Sequence, residues 1–184
     1  ILHFLENEII SDIYEDSRNI LWAATYYGLI YFDRNTSGYK RYIPDEEARF
    51  GSISSSIVTQ IAESDDGKLW VGTWGGGLNR IEVHPDSDSL KFLHYTSQDA
   101  GNSLSSDVIF RLHYDQYDNL WIGSWDAGLS LLASAHQDAA PGEAQFENYS
   151  YDLRNPDGIS GNNVSAIFVD RAGMLWVGSA MIDR

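Results

Sequence analysis

The side chains with most to offer a ligand are aromatic and stand beside glycines, acids and amides. Trp74 precedes Gly75-Gly76-Gly77, Trp125 is followed by Asp126, and Tyr26-Tyr27 precedes Gly28. An aromatic face stacks on the apolar face of a sugar ring, and a neighbouring carboxylate or amide satisfies the ring's hydroxyls, so this grouping suits carbohydrate. Arg49 and Arg154, on the polar stretches that follow, are candidate anion contacts. The candidate binding set is therefore Trp74, Trp125, Asp126, Tyr26, Tyr27, Arg49 and Arg154. Trp74 and Trp125 occupy equivalent places in the chain, and such recurrence suits a packing role equally well.

Other chemistries find less in the sequence. Cysteine is absent, which removes disulfides, thiolate metal sites and a thiol nucleophile. His3, His84, His94, His113 and His136 have no metal-ligand spacing. Glu63-Ser64-Asp65-Asp66-Gly67 shares acids with a calcium loop but lacks the full alternation and the distal bidentate glutamate, and it reads as a turn. No nucleophile elbow, P-loop or dinucleotide fingerprint occurs, so no catalytic set, cofactor or metal is expected. Carboxylates are abundant, but glycoside cleavage needs two of them about 5 to 10 Å apart across a cleft, a separation that spacing along the chain does not specify. The formal net charge of -15, from 27 acidic against 12 basic residues, repels nucleic acid and anionic membrane surfaces. The longest apolar-looking run, Ile20 to Phe32, is broken by Thr25, Tyr26, Tyr27 and Gly28 and falls short of the roughly 20 residues of a membrane helix. A soluble chain with no membrane contact is expected.

The elements that must hold the candidate residues come as repeats. Leu21-Trp22, Leu69-Trp70, Leu120-Trp121 and Leu175-Trp176 recur with Trp-to-Trp spacings of 48, 51 and 55, periods that point to arrays or propellers. Twelve residues before each Trp stand Ile10, Val58, Ile109 and Val164, and nine before stand Ile13, Ile61, Leu112 and Ile167. Asp16, Ser64, Asp115 and Asp170 come six before, and Asn19, Gly67, Asp118 and Gly173 three before. The last column collects residues that tolerate positive φ, and the acid or serine ahead of it can bond the following backbone, so a hairpin turn is predicted there. A Gly-rich bend then leads to a third strand near Leu29–Phe32, Leu78–Ile81 and Leu129–Leu132, and a fourth follows at Tyr39–Tyr42, Phe92–Tyr95 and Phe146–Tyr149. Four short antiparallel strands per repeat make a propeller blade. The apolar anchors of the first strand fall three apart and are predicted to face opposite sides of the sheet. Trp22, Trp70, Trp121 and Trp176 are assigned to blade packing rather than to ligands, because every repeat carries one.

In such a blade the bends at Tyr26-Tyr27, Trp74 and Trp125-Asp126 lie at the same end as the segments from Ile43 to Ser56, Thr96 to Asp107 and Tyr151 to Asn163. Loops carried on a rigid scaffold are where binding groups usually sit.

The run Val58-Thr59-Gln60-Ile61-Ala62-Glu63-Ser64-Asp65-Asp66-Gly67-Lys68-Leu69-Trp70-Val71-Gly72-Thr73-Trp74-Gly75-Gly76-Gly77-Leu78 resembles the two-component regulator propeller repeat, as do the segments Gly51–Ser56 and Asn102–Asp107 before the first strands. Departures are Ala24 in place of Gly72, Gly123 and Gly178, a first repeat one residue shorter before Gly28, and a fourth repeat that stops at Arg184. The Gly-His and Trp-Asp signatures of WD-repeat scaffold propellers are not repeated. The resemblance implies an extracytoplasmic, periplasmic sensor region of a hybrid histidine kinase, common in gut Bacteroidetes, with two seven-bladed propellers and a small β-sandwich. It further implies an oligosaccharide ligand released from complex polysaccharides, signalling as a dimer, and kinase activity outside this chain.

The fold expected is thus all-β, a β-propeller fragment of about three and a half four-stranded blades, at about 9–42, 56–95, 107–149 and 163–184, within a partial propeller spanning 1–184. The chain begins at Ile1 rather than Met and reads as a piece of a seven-bladed ring. Closed propellers have roughly four to eight blades, so open blade edges should drive self-association or pair with missing blades.

Overall fold

The computed structural model describes residues 8–34, 38–45, 47, 51–83, 90–155 and 157–180. It contains four antiparallel sheets. The first runs β1 (Ile10–Glu15), β2 (Leu21–Thr25), β3 (Gly28–Asp33), β4 (Gly38–Tyr42), each strand beside its sequence neighbour. The second repeats this order with β5 (Val58–Glu63), β6 (Leu69–Thr73), β7 (Leu78–Val83) and β8 (Leu90–Tyr95), and the third with β9 (Ile109–Tyr114), β10 (Leu120–Ser124), β11 (Leu129–Leu132) and β12 (Phe146–Tyr149). The fourth is the hairpin β13 (Asn163–Val169) and β14 (Leu175–Ala180). Among the described residues a 3-10 turn, Ser134–His136, interrupts the strands, and no helix is long and apolar enough to cross a membrane.

The hairpin turns form where the column of permissive residues predicts them. Asn19, Gly67, Asp118 and Gly173 all have positive φ, between 59° and 84°. The acid three residues earlier does more than close the turn. Oδ1 of Asp16 accepts from the backbone of Arg18 and Ile20 (3.0 and 2.9 Å), and its Oδ2 accepts from the Trp22 indole at 3.0 Å. Asp115 holds Tyr117, Asn119 and the Trp121 indole in the same way, and Asp170 holds Ala172, Met174 and the Trp176 indole. Each carboxylate thus welds the turn to the tryptophan of the next strand. The second sheet has Ser64 instead, and there the buried Trp70 Nε1 has no partner.

Neighbouring sheets pack face to face through their apolar sides. Trp22, Leu29, Ile53, Val58, Ile61, Leu69, Val71, Ile81 and Phe92 form the core between the first and second sheets. Trp70, Leu78, Tyr95, Leu104, Ile109, Leu112, Ile122, Leu132 and Phe146 form the next. Ile53 and Leu104, from the Ser-rich segments between sheets, insert into these two cores. Val58 and Ile61 lie in the same core, as do Ile109 and Leu112, which corrects the expectation of opposite faces. The cause is a bulge: the register shifts between Val58 and Gln60 and between Ile109 and Arg111, and the extra residue turns anchors three apart onto one side.

The first strands β1, β5, β9 and β13 lie side by side along one edge. Their side chains tie the sheets together: Asp12 Oδ2 accepts from the Ile61 backbone N–H at 3.0 Å and Gln60 Oε1 from that of Leu112 at 2.8 Å. Trp22 and Trp70 are fully buried in these cores, and Trp121 is half-buried, its ring 6.0 Å from that of Tyr149. Trp176 is 61% exposed, so its packing role lacks a covering sheet among the described residues.

Candidate functional site

The bends between second and third strands are built by a hydroxyl and a glycine. Thr73 Oγ1 donates to the Gly77 carbonyl at 2.8 Å and Ser124 Oγ to that of Gly128 at 3.0 Å, as Thr25 does to Gly28 in the first sheet. Gly77 and Gly128 have φ of 72° and 89°, and a Cβ at either would collide with the carbonyl of Tyr95 or Tyr149 on the fourth strand. The bend is then sewn to the segment that leads into the next sheet, through Gly75 and Gly77 N–H bonds to the Asp107 carbonyl and a bridge between Trp74 and Val108. Trp125 donates its own N–H to the Val108 carbonyl at 3.0 Å. Trp74 and Trp125 are therefore pinned on either side of one short segment.

Their rings meet at 5.4 Å between centroids with a 50° tilt. A third ring, Phe110, completes the group, 5.5 Å from Trp125 and 6.4 Å from Trp74, edge-on to both. Trp74 and Trp125 remain 38% and 37% exposed despite these ring contacts. Asp126 stands next to them, its Oδ1 accepting from Ser106 Oγ at 2.7 Å. The Arg111 guanidinium lies over the Phe110 ring at 4.1 Å. Stacking surface, an acceptor for hydroxyls and a cation are thus assembled on one end of the second and third sheets.

The other candidates are placed elsewhere. Tyr26 and Tyr27 form the exposed bend of the first sheet, tied by the Tyr26 N–H to the Ile9 carbonyl and by the Arg41 guanidinium to the Tyr27 carbonyl, and neither ring touches the Trp pair. Arg154 is exposed on the segment between β12 and β13, where its N–H caps Asp152 Oδ1 at 2.8 Å. Arg49, with His3 and His84, lies outside the described residues. Glu63–Gly67 forms a turn, with the Gly67 N–H on the Ser64 carbonyl at 2.9 Å. Phe110 and Arg111 were not among the candidates. A signal existed: the residue eleven before each Trp is Ser11, Thr59, Phe110 and Ser165, and only the third is aromatic.

Antiparallel four-stranded sheets stacked side by side with their first strands along a common edge define a β-propeller arc. The two-component regulator propeller model matches residues 4–27, 52–75, 103–126 and 158–181, just over half of the chain. The chain belongs to that family. Among solved structures it is similar to the extracellular domain assigned to hybrid two component system BT3049 of B. thetaiotaomicron, with 23% identity, a TM-score of 0.71, and coverage of 92% of this chain and 21% of that one. The corresponding domain of BT4673 from the same organism gives 22% identity, a TM-score of 0.67 and coverage of 92% and 22%. PorZ, a surface component of the type-IX secretion system of Porphyromonas gingivalis, gives 16%, 0.64, 91% and 24%. The chain spans about a fifth of the length of these structures. No match was found among curated proteins.

Proposed function

We propose that this chain is an arc of the extracytoplasmic, periplasmic propeller of a hybrid two-component sensor, and that it senses oligosaccharides released from polysaccharides without turning them over. Family membership supports the sensor reading, and the parent ring is taken as seven-bladed. The observation that carries the ligand class is the Trp74–Phe110–Trp125 cluster, whose two half-exposed indoles stand beside the Asp126 carboxylate. A sugar needs both an apolar aromatic surface and a hydrogen-bond acceptor, and the partly exposed indoles with Asp126 beside them in sequence supply these groups.

The test is a thermal-shift screen against a panel of glycan fragments, with product analysis of the same mixtures. A stabilising fragment that is recovered intact, and whose effect is lost in Trp74→Ala and Trp125→Ala, is the expected result. Product release abolished by one Asp or Glu substitution would assign a glycan-active enzyme instead, and stable capture of a defined protein would assign a scaffold.

A further inference from the structure

In the first strands of this arc, two consecutive columns serve the ring and the third sheet departs from both. The bulged residue is Ser11, Thr59 or Ser165 in the other sheets and Phe110 here. The next residue supplies the tie to the following sheet, through Asp12 and Gln60 as acceptors. Arg111 stands at this position, and a guanidinium has no acceptor to offer. The tie to the fourth sheet is made two residues on, where His113 Nε2 accepts from the Val169 N–H at 3.2 Å. Burial pushes His113 below its ordinary value against the pull of Asp115, which keeps the ring neutral and able to accept.

Released from the tie, Arg111 instead donates to the Phe110 carbonyl at 2.8 Å, and its guanidinium carbon stands 4.1 Å from the Phe110 ring centroid. Arg18, Arg34, Arg41 and Arg80 each hold a carboxylate; Arg111, Arg154 and Arg171 hold none among the described residues, and of these three only Arg111 is half-buried. Stacking on Phe110 holds the planar fork in place, and a fork so held pairs with a carboxylate through two parallel N–H bonds.

We propose that Arg111 is the anion-recognising residue of the aromatic cluster and that the sugar bound there carries a carboxylate, as uronates do. The inference rests on the carbohydrate reading of the Trp74–Trp125 surface. Asp126 then takes hydroxyl protons while Arg111 takes the acid group, so the two opposite charges fix the direction in which the sugar lies. In a chain of net charge -15 a local cation offsets the repulsion that an acidic ligand meets.

The test is calorimetric titration of the chain with short oligomers of galacturonate, glucuronate and mannuronate, each in parallel with its methyl ester, which keeps the sugar and removes the charge. At least one acid should bind about tenfold or more tightly than its ester, as expected for charge-assisted bonds. Arg111→Gln should abolish that difference by weakening the acid more than the ester, and Arg111→Lys should restore part of it. Phe110→Ser, the residue type of two other sheets, should weaken the acid with the charge still present, and unfolding curves of each variant would exclude loss of fold. Equal binding of acid and ester, with Trp74→Ala abolishing both, overturns the role of Arg111 and leaves the carbohydrate reading standing. A sulfated oligomer that binds more tightly than any uronate overturns the carboxylate assignment. Binding by none of these probes or by any neutral fragment overturns both readings.

Discussion

At the level of single residues, the carboxylate that joins each hairpin turn to its tryptophan organises the sheets. Asp115 accepts from two turn N–H groups, the Asn119 side-chain amide and the Trp121 indole, so Asp115→Ala should orphan four donors and cost about 2 kcal/mol in urea unfolding. The second sheet offers the converse experiment: Ser64→Asp supplies the acceptor that the buried Trp70 Nε1 lacks and should stabilise by about 1 kcal/mol. Burial opposes the charge on Asp115, but bonds from Trp121, Asn119 and Tyr117 outweigh it and hold the carboxyl below its ordinary value of 3.8. A folded pKa below the unfolded one gives stability that is complete above the unfolded value and lost as pH falls through the folded one. Acid unfolding of the wild type should therefore steepen below about pH 4, and Asp115→Asn should flatten that dependence. The turn role of the acid column was legible from its spacing to the positive-φ column. Its bond to the indole was not, because a six-residue separation across a hairpin becomes a contact only once the register is known.

For the strands and bends, hydrophobic columns and permissive turn residues were enough to place β1 to β14, since each is a short-range requirement repeated along the chain. The bulges were not legible. Anchors three apart suit alternate faces of a regular strand equally well, and only the register shift at Thr59 and Phe110 turns both onto one core. The same bulge carries Phe110 to the Trp pair, which is why spacing along the chain did not single that ring out, whereas Trp74, Trp125 and Asp126 stand out by residue type. The bends that aim these residues depend on a glycine: Gly77→Ala combines φ of 72° with a collision against the Tyr95 carbonyl and should cost about 2 to 3 kcal/mol by thermal unfolding. The corresponding loss of ligand binding should exceed the loss of stability, because the bend also orients Trp74.

Taken whole, the arc presents two faces of unequal kind. Ile13 is 57% exposed where its counterparts Ile61 and Leu112 are buried, and Phe168 and Trp176 are exposed where Trp22 and Trp70 are covered. We propose that these exposed apolar surfaces associate with one another. Light scattering should show concentration-dependent self-association that Trp176→Glu suppresses, whereas a monodisperse monomer at all concentrations would contradict it. The proposed ligand surface lies apart from these edges, on the Trp74 and Trp125 bends of the second and third sheets. The six tryptophans give six indole N–H resonances, of which Trp22 and Trp70 are sealed in cores. Heteronuclear NMR titration with the stabilising glycan fragment tests the account most directly: the Trp74 and Trp125 indole signals should shift together and saturably while those of Trp22 and Trp70 stay in place. Shifts confined to Trp176, or none at either Trp74 or Trp125 while the fragment binds, would contradict it.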